Sequence, residues 1–395
     1  MKHTYPYSFL LIALFAFFLW SCADDAGMDD AAGEYKADGY SLLDSEGGGS
    51  GGEVGQGGGQ TEIESGQITA GEWNDLDNWA FWQELYQVED FKDMHTYWGY
   101  DLDPRIMVHI ENSGGADLPG IQATLINDQG AVIWESVSDQ NGMLNLWPGA
   151  YDLTDLEIEI AGNKYAATGM SSGIVEVTLD QAAPTLSQIE VAFIVDATGS
   201  MSDELEYLKV ELMDVLDSVE QQSSVSVISG SVFYRDEGDE YVTRYSDFSG
   251  EVATTVNFIK NQQAAGGGDW PEAVHTALDK TINTLQWSTG TNPKLAFMLL
   301  DAPPHYDDQV LSEIHQLIKT YSEKGVKLIP VASSGIDKQT EFLLRYFAIA
   351  TNGTYVFITN HSGIGNEHIE PSVGEYQVEY LNQLIARLIL QEVSE

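Results

Sequence analysis

Between residues 186 and 395, short runs of purely apolar residues alternate with amphipathic stretches, and the two most apolar runs each end in an aspartate. Val191-Ala192-Phe193-Ile194-Val195 leads into Asp196, and Leu295 to Leu300 leads into Asp301. A run that is apolar at every position offers no face to water, so it suits a strand covered on both sides, as in a parallel sheet. Val326 to Ala332 and Tyr355 to Ile358 read as further strands, and 225–248 supplies two more, the first ending in Phe233-Tyr234-Arg235-Asp236. Helical stretches near 271–286, 308–323, 338–350 and 376–391 alternate with them. After Asp196, Ser202 is expected to cap a helix whose first turn holds Asp203 and Glu204, where the helix dipole favours acids. Its apolar face is Leu205, Leu208, Leu212, Val215, Leu216 and Val219, a helical spacing. Repetition of strand, loop and helix predicts a doubly wound α/β sheet. Such sheets bind ligands at the carboxyl ends of their strands, where the strand order reverses. Asp196 and Asp301 both stand at such ends.

The preceding stretch, 101–182, follows a different rule. Ile106 to Ile110, Ile121 to Ile126, Ala131 to Trp134 and Met143 to Trp147 are short alternating segments. They are separated by Leu118-Pro119-Gly120, Asp128-Gln129-Gly130 and Asp139-Gln140-Asn141-Gly142. Short strands between Gly, Asp and Pro turns predict a small all-β sandwich. The Asp139 to Gly142 segment lacks the first-position ligand and closing Glu of a calcium loop, so it is a turn. Ahead of the sandwich, 67–100 is rich in aromatics, with Trp79, Trp82 and Tyr86 at helical spacing and Asn74 or Asp77 as cap. A stripe of this kind is expected to be core packed on the folded part; a carbohydrate-stacking surface is the alternative.

The N-terminal 66 residues are not a folding unit. Lys2 and His3 precede an apolar run from Phe9 to Trp20, the length of a signal-peptide core and short for a membrane span. Residues 22–66 are acidic and Gly-rich, with nine glycines among the thirteen residues 47–59. Such a stretch cannot offset its backbone entropy by burial, so a disordered N-terminal tether is expected. Its glycines are not a phosphate loop, because no strand precedes them and no Lys-Ser/Thr follows. The whole chain carries 62 Asp+Glu against 17 Lys+Arg, a net charge of −45. That balance argues against nucleic acid and against adhesion to anionic lipid headgroups through surface charge. With one cysteine, Cys22, there is no intrachain disulfide and no Cys-based zinc site.

Four resemblances attach to these residues. Leu19-Trp20-Ser21-Cys22 resembles a bacterial lipoprotein signal, which implies lipidation of Cys22 after removal of 1–21. The following Asp24, Asp25, Asp29 and Asp30 resemble the surface-export tag of Bacteroidetes lipoproteins, which implies an outer-membrane anchor and a cell-surface position. The turn-and-strand order of 101–182 resembles carboxypeptidase-regulatory-like, prealbumin-type modules, which commonly serve as supports. Over 186–395, Asp196-x-Thr198-x-Ser200 matches the Asp-x-Ser/Thr-x-Ser signature of the von Willebrand factor A domain, a Rossmann-like fold, and of its metal-ion-dependent adhesion site. Gly266-Gly267-Gly268-Asp269-Trp270-Pro271-Glu272 and Asp301-Ala302-Pro303-Pro304-His305 fall where that fold's second and third site loops belong. With Tyr234-Arg235-Asp236, the set is similar to A domains found beside alpha-kinases and in hemicentin-type proteins.

The resemblance implies one divalent cation, Mg²⁺ or Ca²⁺, held by Asp196, Thr198, Ser200, Asp269 and Asp301. Hydroxyl and carboxylate oxygens suit so hard an ion, and no His/Cys cluster competes for a softer one. Adhesion-type A domains commonly have Thr in the second loop where this chain has Asp269. Three carboxylates against a +2 ion leave about −1 by formal count, which disfavours an acidic ligand. Asp203, Asp236 and Glu272 read as cap and surface acids. His305 either borders the site or caps the next helix. Trp270 is either a rim aromatic that anchors a partner or a packing residue. Asn360, His361, His368 and Glu370 share a polar loop that hints at a second metal. The expected function is a lipid-anchored envelope protein that binds a protein partner through the metal, touching membrane only at Cys22. A structural or assembly subunit with a closed metal is the second reading, and a metal-dependent hydrolase the third. The chain shows no catalytic triad, nucleophile elbow or kinase segment.

Overall fold

The computed structural model describes residues 63–168 and 173–393. The leader, Cys22 and the tether through residue 62 lie outside them. The first described segment holds β1 (Thr69–Trp73), α1 (Trp79–Leu85) and α2 (Met94–Trp98). The sandwich follows as β2 (Ile106–Asn112), β3 (Gln122–Asn127), β4 (Val132–Val137), β5 (Met143–Leu146), β6 (Leu156–Ile160), β7 (Asn163–Ala166) and β8 (Ile174–Leu179). Its two sheets have the orders β5-β2-β8 and β4-β3-β6-β7. Alternation does what the pattern requires: Ile106, Val108 and Ile110 of β2 are buried while their neighbours are partly exposed. The Asp139 turn is tied by its own side chain, whose Oδ1 accepts the N–H groups of Asn141 and Met143, both at 3.0 Å. Gly142 closes it at φ +67°, where an added Cβ would lie 2.3 Å from the Ile110 carbonyl oxygen.

The C-terminal half contains β9 (Gln188–Asp196), α3 (Leu205–Gln222), β10 (Ser226–Tyr234), β11 (Thr243–Ser249), α4 (Val252–Lys260), α5 (Val274–Asp279), β12 (Lys294–Leu300), α6 (Asp308–Glu323), β13 (Val326–Ala332), α7 (Lys338–Ala350), β14 (Tyr355–Ile358), β15 (Glu379–Tyr380) and α8 (Leu381–Gln391). They build a mixed eight-stranded sheet in the order β11-β10-β9-β12-β13-β14-β1-β15. The five strands from β10 to β14 are parallel, and β11 and β1 run antiparallel to their neighbours. Strand β9 sits between β10 and β12, so the chain steps to one side of β9 and then to the other. That is the switch point, and Asp196 ends the strand that defines it.

Period two divides β9 between two cores. Val191, Phe193 and Val195 join the face covered by α3 and α8, while Ala192 and Ile194 join the face covered by α5, α6 and α7. All six apolar residues proposed for α3 are buried. Ser202 does not cap it: a short 3₁₀ turn, Gly199–Asp203, comes first and Glu204 takes the cap position. Asp307 and Asp337 do cap α6 and α7 with their carboxylates, which fixes where those helices start. The sandwich packs on the second face. Trp134 Nε1 donates to Ser322 Oγ at 3.0 Å, and that hydroxyl donates to the Glu135 carbonyl at 2.8 Å.

Residues 67–100 carry a strand as well as helices. Strand β1 pairs Ala70 with Ile358 and Thr69 with Tyr380, so this segment completes the sheet. Behind it Trp82, Phe91 and Trp98 are buried, Trp79 and Tyr86 are partly buried, and Trp82 stacks on Phe342 at 5.0 Å. Asn74 does not cap α1 directly; its Oδ1 accepts the Leu76 N–H at 2.9 Å in the turn before it. One ion pair fastens the segment. Arg345 is fully buried, and its Nε and Nη2 donate to Asp75 at 2.8 and 2.5 Å. The chain just before β1 is held too, because buried Glu211 accepts the N–H groups of Gly66 and Gln67 at 2.9 Å and of Ile68 at 3.1 Å. The expected tether boundary at Gly66 therefore coincides with residues that are bonded to α3. Among the described residues, no helix is long and apolar enough to cross a membrane.

Candidate metal centre

Strand β9 delivers Asp196 with no solvent exposure. Its Oδ1 accepts the Thr198 N–H at 2.9 Å and the Thr198 hydroxyl at 2.7 Å, and Thr198 Oγ1 lies 3.0 Å from Ser200 Oγ. The Asp-x-Thr-x-Ser spacing thus folds three oxygen-bearing side chains onto one another. Asp196 Oδ2 has no hydrogen-bond partner although it is buried. Asp301 follows β12, the neighbouring strand, is 5% exposed, and leaves Oδ1 unpartnered.

The second loop is laced to the first by backbone. Gly199 N–H donates to the Gly266 carbonyl and Ala265 N–H to the Ala197 carbonyl, each at 3.0 Å. Gly266 and Gly267 have φ +78° and +68°, and a Cβ on Gly267 would meet Glu272 Oε1 at 2.9 Å and Thr198 Cβ at 3.3 Å. Only glycine lets this loop pass so close to both. Buried Arg235 adds a clamp: its Nε donates to the Ala197 carbonyl at 3.1 Å and its Nη2 to the Gln263 carbonyl at 2.8 Å. The third loop runs beside the second, with Glu272 N–H donating to the Pro303 carbonyl at 2.9 Å.

These contacts sort the expected residues. Asp196, Thr198, Ser200 and Asp301 come together. Asp269 is exposed. Trp270 is 47% exposed, a rim position rather than packing. His305 is partly buried and its Nε2 lies 2.7 Å from Asp236 Oδ1, so it borders the site through that acid; Asp307 caps the next helix. Asp236 and Glu272 are not surface acids, being 6% and 2% exposed. Asp203 is half-buried and accepts from Asn366 Nδ2 at 2.6 Å. Glu272, read from sequence as a cap or surface acid, is instead buried beside the first loop. Its Oε2 is buried without a partner, as are Asp203 Oδ1 and Glu204 Oε2. Glu204 Oε1 accepts the Ser334 N–H at 3.1 Å; His368 Nε2 lies 3.2 Å from the same oxygen without a hydrogen bond to it. The other ring nitrogen of His368, Nδ1, lies 3.0 Å from Asn360 Oδ1. Among the described residues no three His, Cys, Asp or Glu draw together tightly enough to hold a metal unaided, in the 360–370 loop or elsewhere.

The electrostatics follow from burial. Burial raises the Asp196 carboxyl above its ordinary range against the opposing bonds from Thr198, and burial and then Asp196 raise Asp301. Glu272 is pushed up to about 9, first by burial and then by Asp196, Asp236, Asp301 and Asp239. Acids crowded in low dielectric shed this penalty by taking up protons or by sharing a cation. Unpartnered carboxylate oxygens beside two hydroxyls are the donor set of a hard divalent ion, so the residues present fit one. Asp196, Thr198, Ser200 and Asp301 are those that would hold it.

Residues 190–363 match the family model described as von Willebrand factor A domain. An ariadne-like RING finger protein of Acanthamoeba polyphaga mimivirus is 31% identical over 134 residues, which is 33% of this chain and 13% of that protein. The alpha-protein kinase vwkA of Dictyostelium discoideum is 25% identical over 174 residues, 42% of this chain and 27% of the kinase. The chain therefore spans less than a third of either relative's length. Among solved structures, the pilus adhesin SpaC of Lactobacillus rhamnosus GG, in its open conformation, aligns over 53% of this chain and 31% of its own at 12% identity. Its TM-score is 0.38, and so distant a likeness says nothing of function. The order of strands, the switch point at β9 and the family match agree: residues 190–363 of this chain are a von Willebrand factor A domain.

Proposed function

We propose that this chain is a lipid-anchored protein of the bacterial cell envelope whose A domain engages a protein partner through one divalent cation, Mg²⁺ or Ca²⁺. The observation that carries the reading is the meeting of Asp196 and Asp301, each with an unpartnered buried carboxylate oxygen, with the hydroxyls of Thr198 and Ser200 at the sheet's switch point. A bound cation supplies a coordination position for an oxygen of the partner. The chain's own residues do the rest. Asp196 and Asp301 balance the ion's charge. Thr198 and Ser200 present neutral oxygens, and the Asp196 bonds to Thr198 orient the first loop. Arg235 ties the first loop to the second. Trp270, exposed on the second loop, offers an apolar surface on which a partner can rest. The anchor is Cys22, the tether gives reach, and the sandwich supports the head. The role is binding rather than catalysis.

Cross-linking on intact cells tests the reading, with the parent chain and Asp196→Ala compared side by side. A cross-linked species that forms with Mg²⁺ present and is lost both in EDTA and in Asp196→Ala is expected. A species indifferent to both refutes metal-dependent engagement and leaves a structural subunit whose partner docks elsewhere.

A further inference from the structure

In the triplet Tyr234-Arg235-Asp236, Arg235 clamps two site loops and Asp236 meets His305, whereas the Tyr234 hydroxyl is buried with no hydrogen-bond partner. A buried phenol normally finds one, because an unsatisfied hydroxyl forfeits the hydrogen bond that water would give it. Position decides what this phenol faces. Tyr234 ends β10 as Asp196 ends β9, and the two are direct partners across these parallel strands. Tyr234 and Val232 join the core beneath α5, α6 and α7, as do Ala192 and Ile194 of β9. Side chains alternate along a strand, so Asp196, two residues beyond Ile194, stands on that same face, beside Tyr234. The Asp196 carboxylate is engaged on one side only: Thr198 supplies both donors to Oδ1, and Oδ2 is buried without a partner. Burial raises the Asp196 carboxyl most, and the Thr198 bonds and then Tyr234 draw it back. The phenol is itself pushed well above its ordinary value, first by burial and then by Asp196 and Asp301, so it keeps a proton to donate.

We propose that Tyr234 is a positioning residue of the metal centre: its hydroxyl donates to Asp196 Oδ2 when the cation is bound, and so pins from the second side the carboxylate that Thr198 pins through Oδ1. The inference rests on the metal reading above and deepens it. A carboxylate oxygen has two lone pairs, so Oδ2 can face the ion and accept from the phenol together. The phenol is neutral and adds no charge to the site, and a hydrogen bond to a charged acceptor is roughly twice as strong as one between neutral groups. Oη and Oδ2 are not bonded to each other in the structure, so the hydroxyl contributes little to the fold by itself, and its effect appears on loading.

The test uses the full chain and the metals alone. Mg²⁺ and Ca²⁺ are titrated by calorimetry into the parent and Tyr234→Phe, thermal melts of both are recorded in EDTA, and tyrosine ultraviolet difference spectra are taken on loading. Tyr234→Phe is expected to bind the tighter-bound metal about tenfold or more weakly, the loss of one hydrogen bond to a charged group. In EDTA it is expected to melt within about 2 °C of the parent, because the hydroxyl removed had no partner. Loading the parent is expected to give a tyrosine difference band that is diminished in Tyr234→Phe; a residue needed only for packing would move the melt and leave the band. The inference is overturned if Tyr234→Phe binds metal as the parent does, if it melts well below the parent in EDTA, or if the band is unchanged by the substitution. A parent that takes up neither metal is a different failure: it overturns the metal reading itself, and this inference falls with it.

Discussion

Removing the Asp75 carboxylate should unfasten the N-terminal segment from the sheet it completes. Asp75 is 3% exposed and Arg345 is fully buried. Asp75 takes two hydrogen bonds from Arg345 and a third, at 2.9 Å, from Trp73 Nε1. Without it, Arg345 keeps the Ser372 carbonyl at 2.6 Å and the Glu341 carboxylate at 3.7 Å. Breaking a buried pair by removing one partner typically costs about 3–5 kcal/mol, because the other charge is stranded. Glu341 moderates that loss, so about 3 kcal/mol is expected for Asp75→Leu, a large share of a typical 5–15 kcal/mol stability. Arg345→Leu alone strands Asp75 and should cost a similar amount. The double variant strands neither charge, and should recover more than half of the loss. Urea unfolding followed by tryptophan fluorescence and far-UV circular dichroism reads all three. The reasoning is refuted if Asp75→Leu changes stability by less than about 1 kcal/mol, or if the double variant is as unstable as the sum of the singles.

Two further outcomes follow from the same geometry. Arg235→Met removes the guanidinium that joins the Ala197 and Gln263 carbonyls, so the first two site loops should loosen; faster amide exchange at Ala197 to Gly199 and at Ala265 to Gly267, with metal affinity down about tenfold, checks this. His109 lies between Asp117 Oδ1 at 2.9 Å and Glu176 Oε2 at 2.8 Å, and its pKa is raised above the ordinary value, most by Asp117. A group whose folded pKa is raised adds stability that is complete below its unfolded pKa, about 6.5, and is lost as pH rises through the folded value. Urea midpoints should therefore fall between pH 6 and 9 by a small amount, the site being partly solvated, and His109→Gln should flatten that part of the slope.

What could be read from residues alone was what local chemistry decides. Apolar runs ending in Asp196 and Asp301 have no stable home except a buried parallel strand, and the face of α3 from Leu205 to Val219 repeats at helical spacing. Strand β1 was not legible, because Thr-Ala-Gly-Glu-Trp has no strand signature of its own. It is a strand because Ala70 meets Ile358 and Glu72 meets Val356 across nearly the whole domain. Helix α4 was missed for the opposite reason: Val252–Lys260 is rich in β-branched residues, and it is helical because Val252, Thr255 and Ile259 share one buried face. At the site, the Asp-x-Thr-x-Ser spacing closes on itself through contacts two residues apart. Glu272 does not announce itself, because following Pro271 it looks like any acid at the start of a helix. Its side chain is buried where its own N–H bonds to the carbonyl of Pro303, thirty-one positions on in the chain.

The central claim is that these oxygens hold a divalent cation, and calorimetric titration of Mg²⁺ and Ca²⁺ into the full chain, beside Asp196→Ala, tests it most directly. One bound ion per parent chain, with none in Asp196→Ala while that variant still melts cooperatively, is the expected result. A parent that takes up neither ion, or an Asp196→Ala variant that binds as tightly as the parent, would contradict the account.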